Sequence, residues 1–175
     1  MSNLTVTATI SNDISYTIVK LGSNTQSESA SLSYSQALST STVDPYSPAG
    51  LQINYGVLQS GIVPASGKVS FDLQALEKQS FGATANISFT KIKSIVVENK
   101  NTTYGEDLVI GATGTKAFTE PWNNSGGGCI KPYAVWQYSD SISGAIVDAT
   151  NKEFVIQNNY GTPILFTTIV VGVTG

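Results

Sequence analysis

The sequence predicts an all-β chain: an antiparallel β-sandwich, jelly-roll-like, with little or no helix. Three observations predict it. Apolar residues recur at every second position along most of the chain. About nine or ten such runs follow one another at short spacing, separated by Gly, Asn, Asp and Pro. No stretch of useful length has helical periodicity, and neither βαβ alternation nor a fixed-period repeat is visible.

In chain order, "LTVTATI" (4–10) sets Leu4, Val6, Ala8 and Ile10 against three threonines, a half-buried strand with a wet side. "DISYTIVKLG" (13–22) alternates in the same way, and Asn12–Asp13 between the two runs reads as the turn of a hairpin over 3–22. Residues 23–50 are rich in Ser and Thr and end near two prolines, which predicts a long loop or an arm, including an arm that crosses to a second subunit. "LQINYGVLQ" (51–59) and "KVSFDLQAL" (68–76) are strands, the second closing with a single helical turn at "LQALEKQS". "SGIVPASGK" (60–68) is a possible sub-boundary within an otherwise single domain spanning 1–175.

"ANISFTKIKSIVVEN" (85–99) is the strongest strand signal, because its β-branched run reads as buried on both faces. "EDLVIGA" (106–112) follows after "KNTTYG", which predicts a hairpin or a β-arch with a polar, glycine-closed turn. "IKPYAVWQY" (130–138), "GAIVDA" (144–149), "KEFVIQN" (152–158) and "ILFTTIVVGV" (164–173) complete the strands, with Asn158, Asn159 and Gly161 as the turn between the last two.

Composition narrows the possible functions. The 175 residues suit one domain with a real core. Only 12% are charged, about half the usual share, so hydroxyls and amides do the solvating. All nine basic residues are lysines, scattered along the chain, and the net charge is -3. Without arginine or a basic cluster, no nucleic-acid partner is expected. The amino terminus lacks the basic and apolar regions of a secretory signal, and no apolar run reaches membrane-spanning length, so no membrane partner is expected. The sequons at Asn3, Asn86, Asn101 and Asn123 are read as chance in a chain rich in Asn, Ser and Thr.

Catalytic groups are sparse. There is no histidine, so neither a Ser-His-Asp nor a Cys-His pair exists. Cys129 is the only cysteine, which excludes an intrachain disulfide and a cysteine-based zinc site; it reads as a small residue at a strand start. Its preceding glycines are expected to supply positive φ in a tight turn. Paired carboxylates are the remaining catalytic option. Glu106 and Asp107 face opposite sides of a strand and Glu98 could approach them, but solvated turn acids are the reading preferred over a calcium site. No catalytic residue, cofactor or metal is therefore assigned, and the chain is not expected to be an enzyme. Aromatics offer more. Tyr133, Trp136 and Tyr138 share one run and Trp122 precedes it; they serve either as core and subunit contact or as stacking platforms for a glycan.

From about Lys91 to Gly175 the chain resembles a kind of small β-sandwich common among tailed-phage virion proteins, of the capsid decoration or head-fibre type. The resemblance rests on "KIKSIVVEN", then "DLVIG", then "AF" before an aromatic loop, a glycine-rich turn into Pro-x-Ala-x-Trp (132–136), and finally "FVIQN" and "IVVG". "GGGCIKPYAVW" departs from the plainer Pro-Gly turn expected there. The resemblance covers about half the chain and implies a structural role by assembly: a homo-oligomer, with a trimer favoured, partnered with capsid or other virion proteins. Such a chain folds in the host cytoplasm and ends in the virion. A carbohydrate-binding or receptor-binding module is the alternative.

Overall fold

The computed structural model describes residues 7–20, 26–39, 55–80, 83–111, 114, 116–122, 127–140 and 143–174. Its strands are β1 (Thr7–Lys20), β2 (Gln26–Ser39), β3 (Tyr55–Val63), β4 (Lys68–Asp72), β5 (Leu76–Ser80), β6 (Ala83–Ile87) and β7 (Phe89–Asn99). There follow β8 (Leu108–Gly111), β9 (Gly127–Ile130), β10 (Val135–Ser139), β11 (Ala145–Ile146), β12 (Glu153–Asn158) and β13 (Ile164–Thr174). The helical content among the described residues is one 3-10 turn at Glu120–Trp122. No helix there is long and apolar enough to cross a membrane. Every pairing between these strands is antiparallel.

Eight of the strands pair in a nested order: β3 with β13, β4 with β12, β7 with β10, and β8 with β9. Two further pairings, β7 with β13 and β8 with β12, join these hairpin-like pairs into sheets of order β10-β7-β13-β3 and β4-β12-β8-β9. This is the order of a long ribbon folded across itself, an antiparallel arrangement consistent with the expected β-sandwich. β11 adds to the flank of β7, while β1–β2 and β5–β6 form separate two-stranded sheets.

The two sheets meet over one core. β13 alternates cleanly: Ile164, Phe166, Thr168 and Val170 are buried, whereas Leu165 and Ile169 are exposed. Phe166 reaches Phe71 of the opposite sheet edge-to-face at 5.9 Å, and Phe71 stacks on Phe154 at 6.4 Å. β7 is flanked on both sides, and Phe89, Ile92, Ile95 and Val97 are fully buried. The expectation of burial on both faces is met only in part: Ile95 and Val97 are buried, whereas the alternate Val96 and Glu98 are only partly buried. Buried Thr168 satisfies its hydroxyl on the Val96 carbonyl at 3.0 Å.

The connection between β7 and β8 is a β-arch, because the strands lie in different sheets. Asn99 closes it. Its fully buried amide donates to the Glu106 carbonyl at 2.8 Å and the Ile130 carbonyl at 3.0 Å, while its oxygen accepts the Asn101 N–H at 3.0 Å. Gly105 turns the chain at φ 90°, where a side chain is disfavoured.

Several local expectations are corrected. Asn12–Asp13 is not a turn: β1 runs straight through it and pairs with β2, so one 14-residue strand replaces the hairpin expected over 3–22. Within 23–50, residues 26–39 are strand rather than loop; their serines alternate with Ala30, Leu32 and Tyr34 in a period of two. Residues 40–50 lie outside the described residues. The 60–68 stretch does not divide the chain, because β3 continues to Val63 and both Val63 and Phe71 enter the same core. "LQALEKQS" makes no helical turn: Ala75 N–H closes on the Asp72 carbonyl at 3.0 Å and β5 begins at Leu76. Gly127 and Gly128 are not in a tight turn but inside β9. A Cβ on Gly127 would lie 2.2 Å from the Ile110 carbonyl oxygen, and one on Gly128 would lie 3.1 Å from the Ile110 side chain. These glycines let two backbones approach.

Candidate functional site

The aromatics named from the sequence divide between two places. Trp136 and Tyr138, two apart on β10, turn inward, and both pack against the core with Trp122. Trp136 stacks on Trp122 at 5.1 Å and 16° and faces Phe154 of the opposite sheet at 6.5 Å. The pair of indoles closes the side of the sandwich where β10 ends its sheet. Burial, and then the nearby Asp140 and Glu120 carboxylates, push the Tyr138 hydroxyl up to about 12. Trp122, Trp136 and Tyr138 thus act in packing, and they do not form one exposed platform with Tyr133.

Tyr133 sits elsewhere. "IKPYAVWQY" is broken by a turn at Pro132–Tyr133, where Ala134 N–H closes on the Lys131 carbonyl at 3.0 Å. Tyr133 adopts φ 59°, a costly conformation for a bulky residue, and its N–H is held by the Asn99 carbonyl at 3.0 Å. Its ring is 71% exposed and lines an open cleft of about 440 Å³ at one end of the sandwich. Three loops build that cleft. The β7–β8 arch supplies Tyr104, Gly105 and Asp107; the β9–β10 turn supplies Lys131 and Tyr133; the β12–β13 turn supplies Tyr160. Volume and lining fall within the usual range for small-molecule sites.

Two buried asparagines brace these loops, and the sequence reading missed both as site residues. Asn99 holds the arch and the β9–β10 turn. Asn158 is buried at the end of β12. Its amide donates to the Pro64 carbonyl at 3.0 Å and the Thr162 carbonyl at 2.7 Å, and its oxygen accepts the Tyr160 N–H at 2.8 Å. Turn propensity was the signal at both positions. What the sequence does not reveal is that their side chains point inward and stand in for missing ladder bonds.

One ion pair forms the cleft's polar floor. Lys131 Nζ lies 2.5 Å from Asp107 Oδ2, which Cys129 Sγ also approaches at 3.4 Å. The lysine contact, and then the cysteine one, hold the Asp107 carboxyl below its ordinary value against the effect of burial. Asp107 Oδ1 is the one buried side-chain oxygen among the described residues with no hydrogen-bond partner. The Cys129 thiol, on an exposed residue, is pushed up by partial desolvation and by this carboxylate, the opposite of an activated nucleophile. Glu106 turns away to Thr162 and Asn101, and Glu98 sits 3.6 Å from Lys100. The acids singled out in the sequence therefore occupy three separate settings. Among the described residues, no three metal-ligating side chains converge.

No family model matches the chain, and no curated protein matches it. Among solved structures, the chain is similar to the crystal structure of Yersinia pseudotuberculosis-derived mitogen, with a TM-score of 0.33 and 12% identity, over 68% of this chain and 86% of that one. So loose a similarity carries no argument about activity. Two surfaces among the described residues stand out: the cleft and the outer face of β3 and β13, where Leu58, Ile62, Leu165 and Ile169 are exposed.

Proposed function

We propose that this chain is a structural subunit of a virion or virion-like particle, a β-sandwich that works by associating with copies of itself, a closed trimer being favoured, and with neighbouring shell proteins. One observation supports this reading above the others. The outward face of β3 and β13 carries Leu58, Ile62, Leu165 and Ile169, exposed by 66%, 56%, 50% and 41%. They form two cross-strand pairs, Leu58 opposite Ile169 and Ile62 opposite Leu165. Between them the Ser60 and Thr167 hydroxyls meet at 3.1 Å. Val96 of β7 continues the Leu58–Ile169 row.

Such a face is a hazard on an isolated sheet, above all beside β3, which ends its sheet among the described strands. Covering the four half-exposed aliphatic side chains is worth about 4–5 kcal/mol for each copy. Two copies together gain enough to offset the lower range of association costs. The charge on this face is Glu98, opposite Thr167 and ion-paired with Lys100 at 3.6 Å, so the apolar rows beside it suit a second copy better than a charged partner. The separate ribbon of β1 and β2 adds to the case, since an isolated two-stranded sheet is marginal in water and gains from a neighbour.

Light scattering and sedimentation across micromolar to submillimolar concentration test the reading. The expected result is a discrete oligomer that Leu58→Lys with Leu165→Lys converts to a folded monomer. A strict monomer at the highest concentration rejects self-association.

A further inference from the structure

We infer that the cleft ringed by Tyr104, Tyr133 and Tyr160 is a binding site for a neutral saccharide, independent of the apolar face of β3 and β13. Three tyrosines from three different loops converge on one opening, and Tyr104 is fully exposed. Folding alone gains little by leaving Tyr104 and Tyr133 on loop tips, 100% and 71% exposed. Flat aromatic walls suit the C–H faces of a pyranose, and the phenol hydroxyls at their rims suit its O–H groups.

Charge selects among ligands. The cleft's lysine and its aspartate close on each other at 2.5 Å, so the floor has no net charge. A phosphate or sulfate would compete with Asp107 for Lys131, and a quaternary ammonium would meet the lysine. A neutral polyol fits both partners: Lys131, whose side chain is 70% exposed, has further N–H donors to offer, and Thr102 adds a hydroxyl. The cleft lies at loop ends and has no open strand edge, so an extended peptide cannot add to a ladder there.

Two further observations point to a ligand. Tyr133 is held in a left-handed conformation by the Asn99 carbonyl, a local cost that sets its ring at the mouth of the cleft. Asp107, which lines the cleft, is fixed there through its Oδ2 contact with Lys131, so the floor presents a set polar pair to whatever enters.

The test is a glycan array of neutral, sialylated and sulfated oligosaccharides probed with the full chain, followed by titration calorimetry with the best neutral hit. The expected result is binding to a neutral glycan that changes little with salt and weakens at least tenfold in Tyr104→Ala and in Tyr133→Ala. Circular dichroism confirms that the variants fold, and Tyr104, fully exposed, provides the control against misfolding. No neutral hit, hits confined to anionic glycans, or binding unchanged in both variants overturns the inference. Oligomeric state is read separately, so failure here leaves the assembly proposal standing, and the converse holds.

Discussion

Trp122 with Trp136 and Tyr133 with Tyr104 are two aromatic pairs that look alike in sequence: large rings in or beside loops near glycine and proline. The first pair stacks at 5.1 Å and closes the sandwich. The second flanks an open cleft, 71% and 100% exposed. Strand phase separates them. Trp136 occupies an inward position of β10, whereas Tyr133 lies three residues earlier in a turn that breaks the alternation. An aromatic in a β-protein thus acquires its role from phase relative to the core, not from its type or its neighbours in sequence.

The largest effect should come from breaking the buried side of this contrast. Trp136→Ala removes contacts with Trp122 and Phe154, and it should lower the unfolding free energy by about 3 kcal/mol, the low end for an aromatic because the residue is not fully buried. Tyr133→Ala should change it by less than about 0.5 kcal/mol. Urea unfolding of the two variants checks both, and equal losses would erase the distinction between core and cleft.

A middle-sized effect sharpens it. Asn99→Leu leaves the Glu106 and Ile130 carbonyls without their donor, which should cost about 2 kcal/mol. Hydrogen exchange should then rise in the arch at 100–107 while the buried strand β12 stays protected. Uniform loss of protection would mean that Asn99 braces the whole sandwich rather than the cleft.

The smallest effect is electrostatic. Burial would raise the Asp72 carboxyl, but the Lys152 ammonium at 2.5 Å and the Gln74 N–H outweigh it and hold the group below its usual value. Asp107 is held low mainly by Lys131, and Asp148 by Thr150. A carboxylate lowered on folding contributes stability above its unfolded pKa and loses it as pH falls through the folded one. Thermal unfolding temperature should therefore fall below about pH 4. Asp72→Asn should flatten part of that fall, and an unchanged slope would show that the Lys152 pair adds nothing.

Much of the fold was legible. Phe166, Thr168 and Val170 against Thr167 and Ile169 announce β13, and the apolar β-branched run of β7 announces a central strand, although only one of its faces is fully covered, Val96 and Glu98 being partly buried. The cleft was barely legible: of its three tyrosines, the sequence singled out only Tyr133, and it grouped that residue with three others that are packed inside. Its braces, Asn99 and Asn158, read as strand-end or turn residues, since nothing local shows a side chain turned inward to satisfy carbonyls from other segments.

By itself the sequence determined that the chain is a series of strands, where most of them lie, and that no histidine- or cysteine-pair chemistry is available, because alternation and composition are local properties. Only the tertiary structure decided that β7 to β8 is an arch, that Asn12–Asp13 lies within a strand, and that Leu165 and Ile169 face outward while Phe166 and Val170 face inward. Both faces of β13 are apolar. Which one is covered depends on pairing with strands some 70 and 110 residues away in sequence, and no local pattern encodes such non-local register.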